Sequence, residues 1–492
     1  MRRFLLLAIV ATAALAVSLA ASAAPPSKSG SGNFTNYPLA ETTGTTCPGS
    51  SACSNIAAEP AIRADAAGRF FGSSENGLGG GTVAFRSTDN GLHYTTLASP
   101  DAGSSANDTG FAPGGGDTDL AVAPVQNGAG FYNVYVASLS LANVDVSTSA
   151  DGGATWSLNP IGALISGDDR EWIAADGASN VCVSYHDVAT FNIDVNCSND
   201  AGATFTQLGE AIDSNHSYAI NANEIGNLMI DTSPTSPYQH TIYQTFSAVD
   251  NTSEQATCVS TGPCNYRDVF MAVSTDGGKT FTDHLVHSAP PGTSYGHQFV
   301  NVSVDRAGNV YSVYTDDHHV YYSFSTDQGR TWSGPYLITT TSGTQIFPWS
   351  TAGDAGKLDV VYYQTSYYDG VNTPDNYPDT AAWTVGFAQN LKATTPGSAW
   401  ARQTASPTNH FGGVCESGVT CNGNRDLFDD FGVAASPTTG LASIIYSDDQ
   451  FDPNGPNTSG CDASTNNSSS CDHTAIATQV SGTGVYTVKK KK

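Results

Sequence analysis

Apolar residues alternate with small polar ones in short runs along most of this chain, and Gly, Asn, Asp and Ser separate the runs. The clearest stretch spans residues 299–338, where FVNVSVD, NVYSVYTDD, VYYSFSTDQG and TWSGPYLI follow one another. A period of two over such lengths puts one side of each run in a core and the other outside it, which is the pattern of a β-strand. Four runs in succession, each closed by a turn signal, predict a four-stranded antiparallel meander. Comparable strand pairs open at EPAIRADAAGRFFGSS, TDLAVAPVQNGAGFYNVYVASL, REWIAADGASNVCVSYHD and NLMIDTSPTSPYQHTIYQTF, and two more at FPWSTAGDAGKLDVVYYQT and FGVAASPTTGLASIIYSDD. The pattern therefore repeats as seven units between residues 59 and 488, and repetition at this period is the signature of radial architectures.

A second regularity marks the units. STDNGLHY begins at Ser87, SADGGATW at Ser149, SNDAGATF at Ser198, STDGGKTF at Ser274 and STDQGRTW at Ser325. In the shared pattern S-x-D-x-G-x-x-aromatic, the Asp accepts backbone N–H bonds, the Gly takes a tight or left-handed turn, and the aromatic plugs the adjacent core. These motifs resemble the Asp-box (bacterial neuraminidase) repeat of the sialidase superfamily. The resemblance implies an all-β fold, a β-propeller of four-stranded antiparallel blades, with the box between strands three and four and away from the active site. Seven units favour seven blades. Catalytic sialidases have six, so six stays open if one unit is an insertion.

Composition narrows the partners. The 492 residues carry 45 Asp and Glu against 19 Lys and Arg, a formal charge of −26. Nucleic acid and anionic membranes both demand clustered basic side chains, so neither is expected. At 39% hydrophobic and 10% aromatic, the chain is too apolar for an acidic disordered segment. Residues 1–23 read as a secretory signal, with Arg2 and Arg3 before an apolar run and Ala21-Ser22-Ala23 as the cleavage site. No later stretch is apolar enough to span a bilayer. Ten cysteines fall into five local pairs, Cys47/Cys53, Cys182/Cys197, Cys258/Cys264, Cys415/Cys421 and Cys461/Cys471, as expected of loops stapled in an oxidising compartment. The expected organisation is a signal at 1–23, an N-terminal extension at 24–58, the propeller at 59–488 and a basic tail at 489–492.

Meander geometry also says where chemistry should lie. Turns 1→2 and 3→4 share one face of a propeller, and the five motifs occupy it. The 2→3 loops and 4→1 connections share the other, and the long insertions at 248–268, 366–383 and 448–474 are all 2→3 loops. Strand-one starts converge on the axis there, bringing Glu59, Asp117, Asp119, Asp169, Arg170, Glu171, Glu224, His297, Gln298, Asp429 and Asp430 together. Crowded like charges raise carboxyl pKa values, which suits acid–base work. A hydrated polar channel and a bound Ca2+ are the alternatives. The stretch DDQFDPNGPN from Asp448 is a second oxygen-rich place for Ca2+, and no metal ligand set is assigned.

The sialidase resemblance implies three arginines around a substrate carboxylate, and Arg170, Arg267 and Arg425 are the three that map to this face. It also implies a glutamate at the start of blade four, where Glu224 stands, and an acid/base carboxyl, for which Glu75 stands in. Glu75, Glu171, Glu224 and Asp430 are thus the catalytic candidates. Trp172 and Trp349 begin inner strands, where they could stack on sugars or pack in the core. The implied function is a secreted, monomeric, sialidase-like propeller acting on extracellular carbohydrate as a glycoside hydrolase. The alternative is a noncatalytic glycan- or protein-binding propeller.

Overall fold

The computed structural model describes residues 32–39, 58–75, 79–101, 114–140, 143–165, 167–262, 264–297, 299–340, 342–416, 421, 425–450 and 473–488. The signal segment, the pairs Cys47/Cys53 and Cys461/Cys471, Gln298, most of the DDQFDPNGPN stretch and the basic tail lie outside the described residues.

Seven antiparallel sheets form a ring. In each blade the strands adjacent in sequence are adjacent in the sheet. The innermost strands are Ala58–Ala64, Thr118–Gln126, Asp168–Asp176, Asn223–Ile230, Asn301–Val304, Thr344–Ala352 and Gly432–Ala435. Each packs against the next, and the last packs against the first. The ring therefore closes with seven blades, and no unit is an insertion. Inner and second strands are buried on both sides because a blade is sandwiched between two others, which explains their Val, Ile, Tyr and Ala content.

Two features depart from the simple meander. The seventh blade takes its outermost strand from Phe34–Pro38, which pairs with His473–Gln479 and so fastens the two ends of the propeller together. The sequence reading places that segment in the extension before the propeller. The sixth blade carries an additional short strand, His410–Phe411, paired to Ala382–Asn390.

All five S-x-D-x-G turns follow the third strand of a blade. The serine hydroxyl donates to the aspartate at 2.7–2.9 Å and accepts from the glycine N–H at 2.7–3.0 Å. The motif glycines have φ between 77° and 89°, and a Cβ on Gly153 would come within 2.5 Å of Leu97 in the preceding blade. Glycine is thus required for conformation and for blade-to-blade contact. Disulfides join Cys182 to Cys197, Cys258 to Cys264 and Cys415 to Cys421. The first links residues directly opposite each other on strands two and three. Blade four's 2→3 loop contains a helix, Thr252–Thr261. Among the described residues no helix is long and apolar enough to cross a membrane.

Candidate functional site

Four inner strands break register near their channel entries, between Ala58 and Ala61, Asp169 and Glu171, Ile225 and Leu228, and Ile346 and Trp349. Three of them hold a non-glycine residue at positive φ: Glu59 at 42°, Arg170 at 47° and Phe347 at 50°. Bulges re-aim side chains, and left-handed non-glycine residues persist only where the surroundings hold them. Here they turn Glu59 and Arg170 toward each other, with Arg170 Nη1 at 2.5 Å from Glu59 Oε2.

Around that pair the cluster is built from four blades. Arg170 Nη2 lies 2.5 Å from Asp430 Oδ2, and Nη1 lies 3.9 Å from Asp117 Oδ2. Arg425 Nη2 contacts Glu59 Oε1 at 3.1 Å and Asp429 Oδ2 at 2.5 Å. The Arg170 guanidinium is capped by two rings, Trp172 at 4.2 Å and Phe299 at 4.4 Å. Trp349 lies 5.1 Å from Trp172. Below them Arg63 pairs with Asp119 at 3.0 Å. The axis is therefore a stack of a carboxylate–arginine layer, an aromatic layer and a second ion pair.

The acids outnumber the cations, and burial sets their protonation. Glu75 is pushed up to about 8 by burial and then by Asp117. Glu224 also rises to about 8, through burial and the fields of Asp169 and Asp429. Burial lifts Asp430 to about 7 against the pull of Arg170. Glu59 and Glu171 rise well above the usual range, first by burial and then by Asp117. Glu171 is fully buried with neither oxygen hydrogen-bonded, which its protonated form tolerates better than a carboxylate would. One oxygen each of Glu59, Glu75 and Asp117 lies within 4.8 Å of the others. That spacing suits either a proton-sharing group or a cation, but Arg170 and Arg425 already supply positive charge in direct contact with Glu59.

Of the expected site residues, Glu75, Glu171, Asp430, Arg170 and Arg425 share this axial mouth, and Glu224 faces it from blade four. Arg267 does not join them. It is held in the blade-four loop by Asp250 at 2.6 Å and by Glu254 at 3.0 Å. Two arginines therefore meet at the axis. Trp172 and Trp349 lie beneath Arg170 in the core, and neither ring is open to solvent. Sequence reasoning placed Glu59 and Asp117 on the ring without roles. Glu59 proves to be the counter-ion of both arginines. An acid immediately before a proline at an inner-strand start was the available signal.

The opposite mouth holds a cavity of about 590 Å3 lined by Ala64, Ala123, Ala175, Pro234, Ala435 and Tyr486 among others. Its charged lining residues include Arg63, Asp65, Asp231, Asp305 and Arg306. Its aspartates close turns, as when Asp65 accepts from Ala67 and Arg69 N–H and Asp305 from Ala307 and Asn309 N–H.

No protein-family model and no curated protein matches this chain. Among solved structures, it is similar to a protein of unknown function from Dyadobacter fermentans at 14% identity and TM-score 0.45, covering 90% of this chain and 97% of the other. A Hadza microbial sialidase aligns at 13% identity and TM-score 0.41 over 73% and 65% of the two chains. An α-L-arabinanase from Penicillium chrysogenum aligns at 12% and TM-score 0.42 over 67% and 94%. Similarity of this size assigns neither activity nor substrate.

Proposed function

We propose that this protein is an extracellular glycoside hydrolase that works at the axial mouth on the 2→3 loop side. The carrying observation is the pairing of Glu75, held protonated to about pH 8, with Asp117, one oxygen of each within 4.8 Å of the other. Both are partly open to the mouth. Glu75 supplies the proton to the leaving glycosidic oxygen, and Asp117 is the partner carboxylate. The three disulfides support an extracellular site of action.

A sialidase-like reaction would need open guanidinium groups for the sugar carboxylate. Arg170 and Arg425 are engaged by Glu59, Asp429 and Asp430. With these two cations already engaged, the mouth offers no open arginine pair among the described residues for an anionic sugar, so the substrate we favour is a neutral glycan. The test is a panel of neutral and sialylated fluorogenic glycosides run beside a glycan array. Turnover of a neutral glycoside that falls as pH rises through about 8 is expected, with Glu75→Gln lowering kcat by ~10²–10⁴. Sialoside cleavage would overturn the neutral-substrate reading. Binding without any turnover would make the protein a glycan-binding propeller.

A further inference from the structure

Between blades six and seven, on the same face as the axial mouth, His410, Asp426 and Asp449 form a buried trio with relative exposures of 0%, 4% and 2%. His410 comes from the additional strand of blade six, Asp426 from the connection to blade seven, and Asp449 from the end of that blade's second strand. One ligand atom from each lies within 4.8 Å of the others.

The hydrogen bonding leaves this trio short of positive charge. His410 Nε2 faces the Gly413 carbonyl at 3.0 Å, which makes that nitrogen the N–H donor. In the neutral ring, Nδ1 then turns a lone pair toward Asp449 Oδ2, only 2.7 Å away. Asp449 receives one more bond, from Gln450 Nε2 at 2.7 Å. The Asp426 carboxylate receives no hydrogen bond from another described residue, and no Lys or Arg pairs with either aspartate among the described residues. Even an imidazolium would leave one buried negative charge unbalanced, and buried charge is costly unless it is paired or coordinates a metal.

A second His–Asp trio is held by more backbone donors, although Asp283 Oδ1 there is buried without a partner. Near Asp213, His216 and Asp283, one aspartate caps a short helix by accepting from Asn215 and His216 N–H, and the other accepts from Asp213 N–H. That trio has backbone donors for its carboxylates. In the His410 trio the Asp426 carboxylate, with no hydrogen bond from another described residue, lies within 4.8 Å of an imidazole nitrogen and a second carboxylate.

We propose that His410 Nδ1, Asp426 and Asp449 bind a divalent transition-metal ion of the zinc class. A divalent ion balances two carboxylates with the imidazole neutral, and a nitrogen donor beside two oxygens favours zinc over calcium. The Nε2–H to carbonyl bond is the usual outer contact that fixes a ligating histidine. The ion has a positioning role, because Asp426 directly follows Arg425, and residues 425–430 carry Arg425, Asp429 and Asp430 into the axial cluster. The Asp448–Asn457 stretch, read from sequence as oxygen-rich, contributes its Asp449.

The full chain, stripped with chelator and reloaded with ZnCl2, tests this without reference to hydrolysis. Crystals of the reloaded wild type should show anomalous scattering at the zinc edge between His410, Asp426 and Asp449, and reloading should raise Tm above that of the stripped protein. Asp426→Asn should weaken Zn2+ binding at least ~10-fold. Because a buried variant can fail to fold, the wild-type anomalous map decides. No density at this position, or density with Ca2+ but not with Zn2+, overturns the proposal.

Discussion

The two faces of this propeller use the same side chain in opposite ways. On the face with the repeated turns, each motif aspartate sits among donors. Asp200 is held below the usual carboxylate range by the Thr204 hydroxyl, the Ser198 hydroxyl and the Thr204 N–H. Burial works to raise Asp276, yet hydrogen bonds from Thr280, Ser274 and Lys279 bring it down to about 2. On the other face, acids are buried faster than donors are provided, and Glu75, Glu224 and Asp430 rise to about 8, 8 and 7. Donor supply, more than residue type, decides which acids carry charge. The formal −26 therefore overstates the charge at neutral pH, and the axial acids account for part of the difference.

The strongest way to break this comparison is to remove the cation that the axial acids share. Arg170→Met should cost about 3–5 kcal/mol in urea unfolding, because Glu59 and Asp430 lose their buried partner. Adding Glu59→Gln should recover part of the loss, since the neutral amide no longer needs the guanidinium. A loss under about 1 kcal/mol would mean that the cluster is solvated and that its pKa values lie near normal.

Next in size is the response of wild-type stability to pH. A carboxyl whose folded pKa is raised binds its proton more tightly folded than unfolded. Its stabilising contribution is full below the unfolded value and is lost as pH rises through the folded one. For Glu75 and Glu224 that window runs from 4.5 to about 8. For Asp276 the sign reverses, and stability is lost as pH falls from 3.8 toward about 2. Tm should therefore fall between pH 5 and pH 9, and Glu224→Gln should flatten that limb while leaving the acid limb unchanged. A Tm that rises from pH 5 to pH 9 would remove the distinction between the faces.

The turn face was legible in the sequence because everything it needs is local. Ser, Asp and Gly sit within five residues of one another, and the strands on either side announce themselves by their period. Meander geometry then indicated which end of each inner strand meets the axis, so Glu171, Arg170 and Asp430 could be named from the chain, while Glu75 and Arg425 were named through the sialidase resemblance. Other features depend on contacts distant in sequence. Phe34–Pro38 is a short, largely polar edge strand whose partner, His473–Gln479, lies at the other end of the propeller. The helix Thr252–Thr261 buries only Cys258, so no apolar face marks it. Arg267 was expected at the axis, but Glu254 on that helix and Asp250 before it hold the side chain away. The Glu59–Arg170 pair depends on two bulges in separate blades, so the acid before Pro60 marks a position but not the partner 111 residues away.

The smallest expected effect is the one that best isolates the turn face. In Asp276→Asn the carbonyl oxygen can still accept from Ser274 Oγ, Lys279 N–H and Thr280 N–H, which all converge on Oδ1. What changes is Oδ2, which accepts from Thr280 Oγ1 at 2.7 Å and becomes an NH2 group. The threonine hydroxyl can rotate to accept instead, so one hydrogen bond changes direction and the charge is lost at an exposed site. The cost should be about 1 kcal/mol or less by urea unfolding. The acid limb of stability should shrink because this carboxyl no longer titrates, and the limb between pH 5 and pH 9 should not move. Asp276→Ala, which removes every acceptor, should cost about 1–2 kcal/mol at the same position. If Asp276→Asn instead altered the alkaline limb, the two faces would be coupled through the blade, and treating them as separate electrostatic regions would fail.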